Sequence, residues 1–130
     1  MTSKFKIVLL FGLCFGCYSC YYDKIMEQEI PDIPTDQPIS FSEDIEPLFS
    51  RSGKDCTACH NGVLQNPDLQ VGNAYNALVP GGYVIPGDAE GSLFYQRLPG
   101  NGHAFDVGFT LNGEEIALIK TWIDRGAENN

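Results

Sequence analysis

The stretch Cys56-Thr57-Ala58-Cys59-His60 limits what this chain can fold into more than any other part of it. Two thiols three positions apart fall on nearly the same side of one helical turn, with an imidazole next to the second. That spacing suits addition of both sulfurs to the two vinyl groups on one edge of a porphyrin, after which the imidazole can reach the iron. On this reading Cys56 and Cys59 are covalent attachment residues for one haem c, and His60 is the proximal iron ligand. The rest of the chain then sets the second ligand, the burial and the electrostatics that tune the iron.

Two haem-free readings of the same residues stay open. A C-x-x-C pair also serves thiol–disulfide exchange, but that setting calls for a surrounding βαβ pattern, and none is visible. A structural zinc site needs four ligands, and Cys56, Cys59, His60 and His103 are just enough to supply them. Against zinc, Cys59 and His60 are neighbours that project in different directions, and no second C-x-x-C closes a tetrahedron.

At 130 residues the chain has room for one folded domain. Residues 1–19 read as a leader: Lys4 and Lys6 precede a short apolar run, Ile7 to Gly16, which is too short to span a bilayer. Export places the chain in the compartment where haem c is attached, so leader and pentapeptide agree. Cys14, Cys17 and Cys20 crowd the end of this leader. The segment resembles the lipobox of bacterial lipoproteins, which makes Cys20 the expected lipidation site and Cys17 the alternative. The pattern departs at the third position before the cysteine, which is Cys17 or Cys14 where an aliphatic residue is usual. An ordinary cleaved leader, giving a soluble periplasmic protein, is the other reading. A periplasm-facing or outer-membrane lipoprotein is the expected location, with the membrane reached through the lipid.

The formal net charge is -9, and loss of Lys4 and Lys6 with the leader makes it more negative. Such a chain lacks the basic patch that nucleic acid requires. It favours a basic redox partner protein. Residues 20–38 hold acids and Pro31, Pro34 and Pro38 with little apolar periodicity, which predicts an extended tether. Residues 39–130 form the domain, small enough that a covalent cofactor would supply much of its apolar contact.

Within that domain, Ser42 is expected to cap a first helix, with Pro47 allowing a later start near Glu46. A short helix is predicted over residues 73–78, and a longer one from a cap at Asp88 through Leu98, burying Leu93, Phe94 and Leu98. The last helix is the clearest: Asn112 caps it, Glu115 completes a capping box, and Ile116, Ile119, Trp122 and Ile123 form one apolar stripe. Trp122 reads as a core residue.

Three stretches together resemble one family. They are Phe41-Ser42-Glu43-Asp44-Ile45-Glu46-Pro47-Leu48-Phe49 leading to the pentapeptide, Ile85-Pro86-Gly87-Asp88-Ala89-Glu90-Gly91-Ser92-Leu93-Phe94-Tyr95, and Leu111 to Ala127 with Trp122-Ile123-Asp124-Arg125-Gly126. The set is similar to the small planctomycete-type c-type cytochrome domains, distant relatives of class I cytochromes c, over nearly all of Phe41 to Ala127. The resemblance implies an all-α, cytochrome c-like fold with one covalent haem and its N- and C-terminal helices packed together. It also implies a distal methionine just before the last helix. Here that loop, residues 102–110, has none, and no methionine follows Met26.

His103 lies about where that methionine would fall and is the expected distal ligand, with a five-coordinate or water-bound iron as the other reading. Histidine in place of methionine removes a thioether that raises the potential, so a lower potential is expected. Arg97 and Tyr95 are candidates for holding a propionate, and nothing in the sequence singles either out. The function expected is single-haem electron transfer without catalysis. A small-gas binder with an open distal site competes with it, as does the haem-free zinc or thiol protein.

Overall fold

The computed structural model describes residues 29–130; the leader with Cys14, Cys17 and Cys20, and residues 21–28, lie outside them. In chain order the elements are a π-type turn (Phe41–Ile45), a 3-10 turn (Glu46–Phe49), β1 (Ser50–Arg51), β2 (Lys54–Asp55), α1 (Ala74–Leu78), α2 (Leu93–Gln96) and α3 (Gly113–Asp124).

The last helix forms as the sequence predicts. The Asn112 side chain accepts from the Glu115 N–H at 2.9 Å, and the Glu115 carboxylate accepts from the Asn112 N–H at 2.8 Å. Two of the N–H groups that every helix start leaves without a partner are thereby satisfied reciprocally. Ile116, Ile119, Trp122 and Ile123 are all buried, as the stripe requires. Trp122 packs its ring 5.1 Å from Phe41 and donates its indole N–H to the Glu128 carbonyl, so its polar edge is satisfied inside the core.

The all-α expectation is wrong. Among the described residues α3 alone runs beyond five residues, and the chain also forms a two-stranded antiparallel ribbon in which Ser50 pairs with Asp55 and Arg51 with Lys54. What meets α3 from the N-terminal side is one π-type turn rather than a packed helix. The reasons are local. Pro47 has no N–H to give the Glu43 carbonyl, so a continuous helix breaks into the wide turn before it and the tight turn around it. Ser40, not Ser42, is the cap: its hydroxyl accepts from the Glu43 N–H, whereas the Ser42 hydroxyl donates to the Asn130 carbonyl.

The helix expected from Asp88 to Leu98 shrinks to the single turn of α2 for a similar reason. The Asp88 carboxylate accepts from the Gly91 N–H at 2.8 Å and its carbonyl accepts from the Ser92 hydroxyl at 2.7 Å. Asp88 therefore closes a turn instead of opening a helix. That turn docks on the end of α3, where the Gly87 N–H donates to the Ile123 carbonyl and the Ala89 N–H to the Asp124 carboxylate. The middle and terminal sequence stretches are thus one packed unit.

Residues 29–38, expected as extended tether, are mostly exposed but turn at residues 34–37, where the Gln37 N–H donates to the Pro34 carbonyl at 3.1 Å, and they are held against the domain. The Arg125 guanidinium donates to the carbonyls of Pro34 and Gln37 at 2.8 and 2.6 Å. Gly113 is required beneath them, because a Cβ there would stand 2.5 Å from the Glu29 carbonyl oxygen.

Glu115 does more than cap. It is 8% exposed, and its carboxylate also accepts from Lys54 Nζ at 2.8 Å and from the Arg51 guanidinium, which ties both strands of the ribbon to the start of α3. Burial pushes its carboxyl up, but hydrogen bonds from Lys54, the Asn112 N–H and Arg51 outweigh this and hold it below the ordinary carboxylate value. A depressed folded value gives stability that is full above the unfolded value of about 4.3 and is lost as pH falls through the folded one. The Arg51 side chain is 40% exposed, so solvent screens part of this pairing. Replacing Glu115 by Gln is expected to cost about 1–2 kcal/mol in urea unfolding at pH 7. The gap between parent and variant should close as the pH is lowered below about 4. Equal urea midpoints at pH 7 would remove Glu115 from this role.

Candidate functional site

The ribbon delivers the chain to the cysteine pentapeptide. The Cys56 N–H donates to the Phe49 carbonyl at 2.8 Å, which pins the sulfur-bearing turn to the end of the 3-10 turn. Asp55 caps that turn, its carboxylate accepting from the Thr57 N–H at 2.9 Å and the Thr57 hydroxyl at 2.6 Å. The Cys59 and His60 N–H groups both donate back to the Cys56 carbonyl, at 3.2 and 2.8 Å. Residues 56–60 are therefore a single closed turn, the geometry the spacing of the two thiols calls for. Both cysteines are free thiols.

This turn forms one wall of a cavity of about 780 Å³. The volume falls in the range of about 300–1,000 Å³ seen for small-molecule and cofactor sites. Cys56, Cys59, His60 and His103 all line it, and His60 and His103 are the two histidines of the chain. The structure thus brings together the four residues singled out in the sequence, from two loops more than forty positions apart.

Both histidines are set in the same tautomer. His60 Nδ1 lies 3.2 Å from the Pro67 carbonyl oxygen, and His103 Nδ1 lies 2.9 Å from that of Phe105. A carbonyl only accepts, so the proton sits on Nδ1 in each ring and Nε2 keeps its lone pair for a metal. The His103 loop is fixed at its base by Asn101, whose backbone N–H donates to the Leu98 carbonyl and whose side chain donates to the Tyr95 carbonyl. Gly102 follows with φ 100°, and a Cβ there would meet the Gln96 carbonyl at 2.6 Å, so only glycine lets the loop pass α2 this closely.

The remaining walls are apolar. Phe49, Leu69, Leu98 and Ile119 are buried side chains of the core, whereas Leu64, Leu93 and Phe105 are 70%, 47% and 68% exposed although they line the cavity. Fully burying such a side chain is worth about 1.5–3 kcal/mol, so a flat apolar ligand lying over these three would be strongly favoured. These residues were not legible as site residues: Leu93 read as the buried side of a helix, and Leu64 and Phe105 sit in turn-rich loops without periodicity. Tyr95, by contrast, is buried in the core and does not line the cavity, while Arg97 does. The arrangement puts two thiols and two imidazoles on the lining of one largely apolar cavity.

Burial, followed by the charge of Asp55, pushes the Cys56 thiol up to about 11, which keeps it protonated and a poor nucleophile for disulfide exchange. Among the described residues there is no group of three or more His, Cys, Asp or Glu side chains placed to hold a metal ion.

A thiol raised from 9.0 to about 11 has about a hundredfold less thiolate at a given pH near neutrality. In protein made without haem maturation, iodoacetamide at pH 8 is expected to label exposed Cys59 at least about tenfold faster than Cys56, read by peptide mass spectrometry. Equal labelling would mean that Cys56 is neither shielded nor protonated as described. In comparisons with known proteins, no family model, no curated protein and no solved structure matches this chain.

Proposed function

We propose that this chain is a single-haem c-type cytochrome that passes electrons between protein partners and is exported as a lipoprotein tethered through Cys20. The observation that carries the reading is the convergence of Cys56, Cys59, His60 and His103 on one largely apolar cavity, with Nε2 of both rings left as a ligand. The resemblance to planctomycete-type cytochrome domains supports it through the sequence stretches alone. The all-α architecture is no part of the proposal.

Bound haem would supply a one-electron ferric/ferrous couple. Cys56 and Cys59 would hold the haem covalently, each thiol adding S–H across one vinyl double bond, with the hydrogen passing to the other vinyl carbon and no net electrons exchanged. His60 would ligate the iron through Nε2, its ring oriented by the Nδ1–H bond to the Pro67 carbonyl. His103 would be the second nitrogen ligand, its ring oriented by the Phe105 carbonyl. Ala58 and Cys59 are exposed, so a haem attached there would present that edge to a partner at the surface. The acidic balance of the chain suits a basic partner. No substrate is transformed.

The test is a haem stain and pyridine haemochrome spectrum on denatured protein expressed with the c-type maturation machinery. The parent is expected to keep haem through denaturation, and a Cys56→Ala, Cys59→Ala double variant is expected to lose it. Folded parent protein without covalent haem would overturn the reading. In the ferrous state the parent is expected to ignore carbon monoxide and His103→Ala to bind it. Rapid binding by the parent would instead favour the gas-binding alternative.

A further inference from the structure

The cavity is apolar, yet a haem carries two propionate carboxylates, and the chain that would take it up is already strongly acidic. Bringing an anion to such a wall without a counter-charge is unfavourable. The charged residues that line the cavity are Asp55 and Arg97. Asp55 precedes Cys56 and spends its carboxylate on Thr57, so it adds negative charge at the attachment end. Arg97 remains.

The other cations among the described residues are committed. Arg51 and Lys54 share the Glu115 carboxylate, Lys120 pairs with Asp124 at 2.6 Å, and Arg125 binds the Pro34 and Gln37 carbonyls. Arg97 has no side-chain hydrogen bond and no ion pair among the described residues, although it sits in an acidic protein where partners are plentiful. Its backbone is fixed at the end of α2, where its N–H donates to the Phe94 carbonyl at 3.2 Å. The same short segment supplies Leu93, Phe94 and Leu98 to the cavity wall. One cation therefore stands exposed at the rim beside an apolar floor, the pairing that an amphipathic macrocycle with a carboxylate edge requires.

We propose that Arg97 is the anion-binding group of this site, holding a propionate carboxylate of the haem at the cavity rim. The planar guanidinium fork matches a carboxylate in two parallel hydrogen bonds, which a lysine cannot reproduce. The assignment rests on the haem reading above. It adds that Arg97 fixes the direction in which the macrocycle lies and raises the reduction potential, because the neutralised carboxylate no longer favours the ferric state.

The experiment is potentiometric titration of the full-length holoprotein, followed by visible absorbance, for the parent, Arg97→Gln, Arg97→Lys and the charge control Lys120→Gln. All four are first checked for covalent haem by the pyridine haemochrome. Arg97→Gln is expected to keep its haem but shift the redox equilibrium roughly tenfold toward the ferric form at pH 8, about 59 mV for a one-electron couple. Its potential is also expected to become pH-dependent near neutrality as the unpaired propionate begins to take up a proton on reduction. Arg97→Lys is expected between the two, and Lys120→Gln close to the parent. An Arg97→Gln potential and pH profile identical to the parent's would overturn the Arg97 assignment and leave the haem reading intact. So would an equal shift in Lys120→Gln, which would mark a general charge effect. A parent without covalent haem would overturn both together.

Discussion

The Glu115 carboxylate connects the frame of the fold to its site. It completes the cap that starts α3, and through Arg51 and Lys54 it holds the ribbon that leads directly into Cys56. A carboxylate so little exposed is tolerable only because three donors surround it. The consequence is geometric. The helix that carries the largest apolar stripe and the turn that carries both thiols are positioned by the same charge cluster. The site therefore does not depend on a continuous N-terminal helix to be placed.

Placement of the second half of the site depends on packing of a different kind. The turn at residues 87–92 is bolted to the end of α3 by the Gly87 N–H to the Ile123 carbonyl and the Ala89 N–H to the Asp124 carboxylate, and α2 emerges from it to present Leu93, Phe94 and Arg97. Gly102 then lets the next loop pass close to α2, bringing His103 to the same cavity as His60. Loops do this work because apolar side chains from several short segments converge on one space, and the core around α3 holds their ends. Leu64, Leu93 and Phe105 remain exposed in that space, which marks it as a surface suited to an apolar partner rather than as a completed core.

The sequence was most legible where chemistry is carried by nearest neighbours. The closed turn at residues 56–60 and the Asn112–Glu115 cap depend on spacings of a few residues, and both form as those spacings indicate. Helix lengths in the first half were less legible, because several signals compete over the same residues. Pro47 both permits a helix start and removes a donor. Asp88 can cap a helix or close a turn, and the neighbouring Gly91 and Ser92 draw it to the turn. The all-α expectation failed at these points. The polar ribbon at residues 50–55 was invisible to pattern reasoning because two residues per strand leave no alternation to detect.

By itself the sequence determined the last helix and the acidic balance, and its spacing anticipated the closed turn at residues 56–60, since local hydrogen bonding and composition suffice for each. Only the tertiary structure decided that Cys56, Cys59, His60 and His103 line one cavity, that both imidazoles are held with Nδ1 protonated, that Tyr95 belongs to the core, and that Arg97 stands at the rim. The physical reason is that these properties depend on which carbonyl, carboxylate or apolar wall lies across the fold from a side chain. Partners of that kind are brought together by packing against α3 and are not encoded in any local spacing.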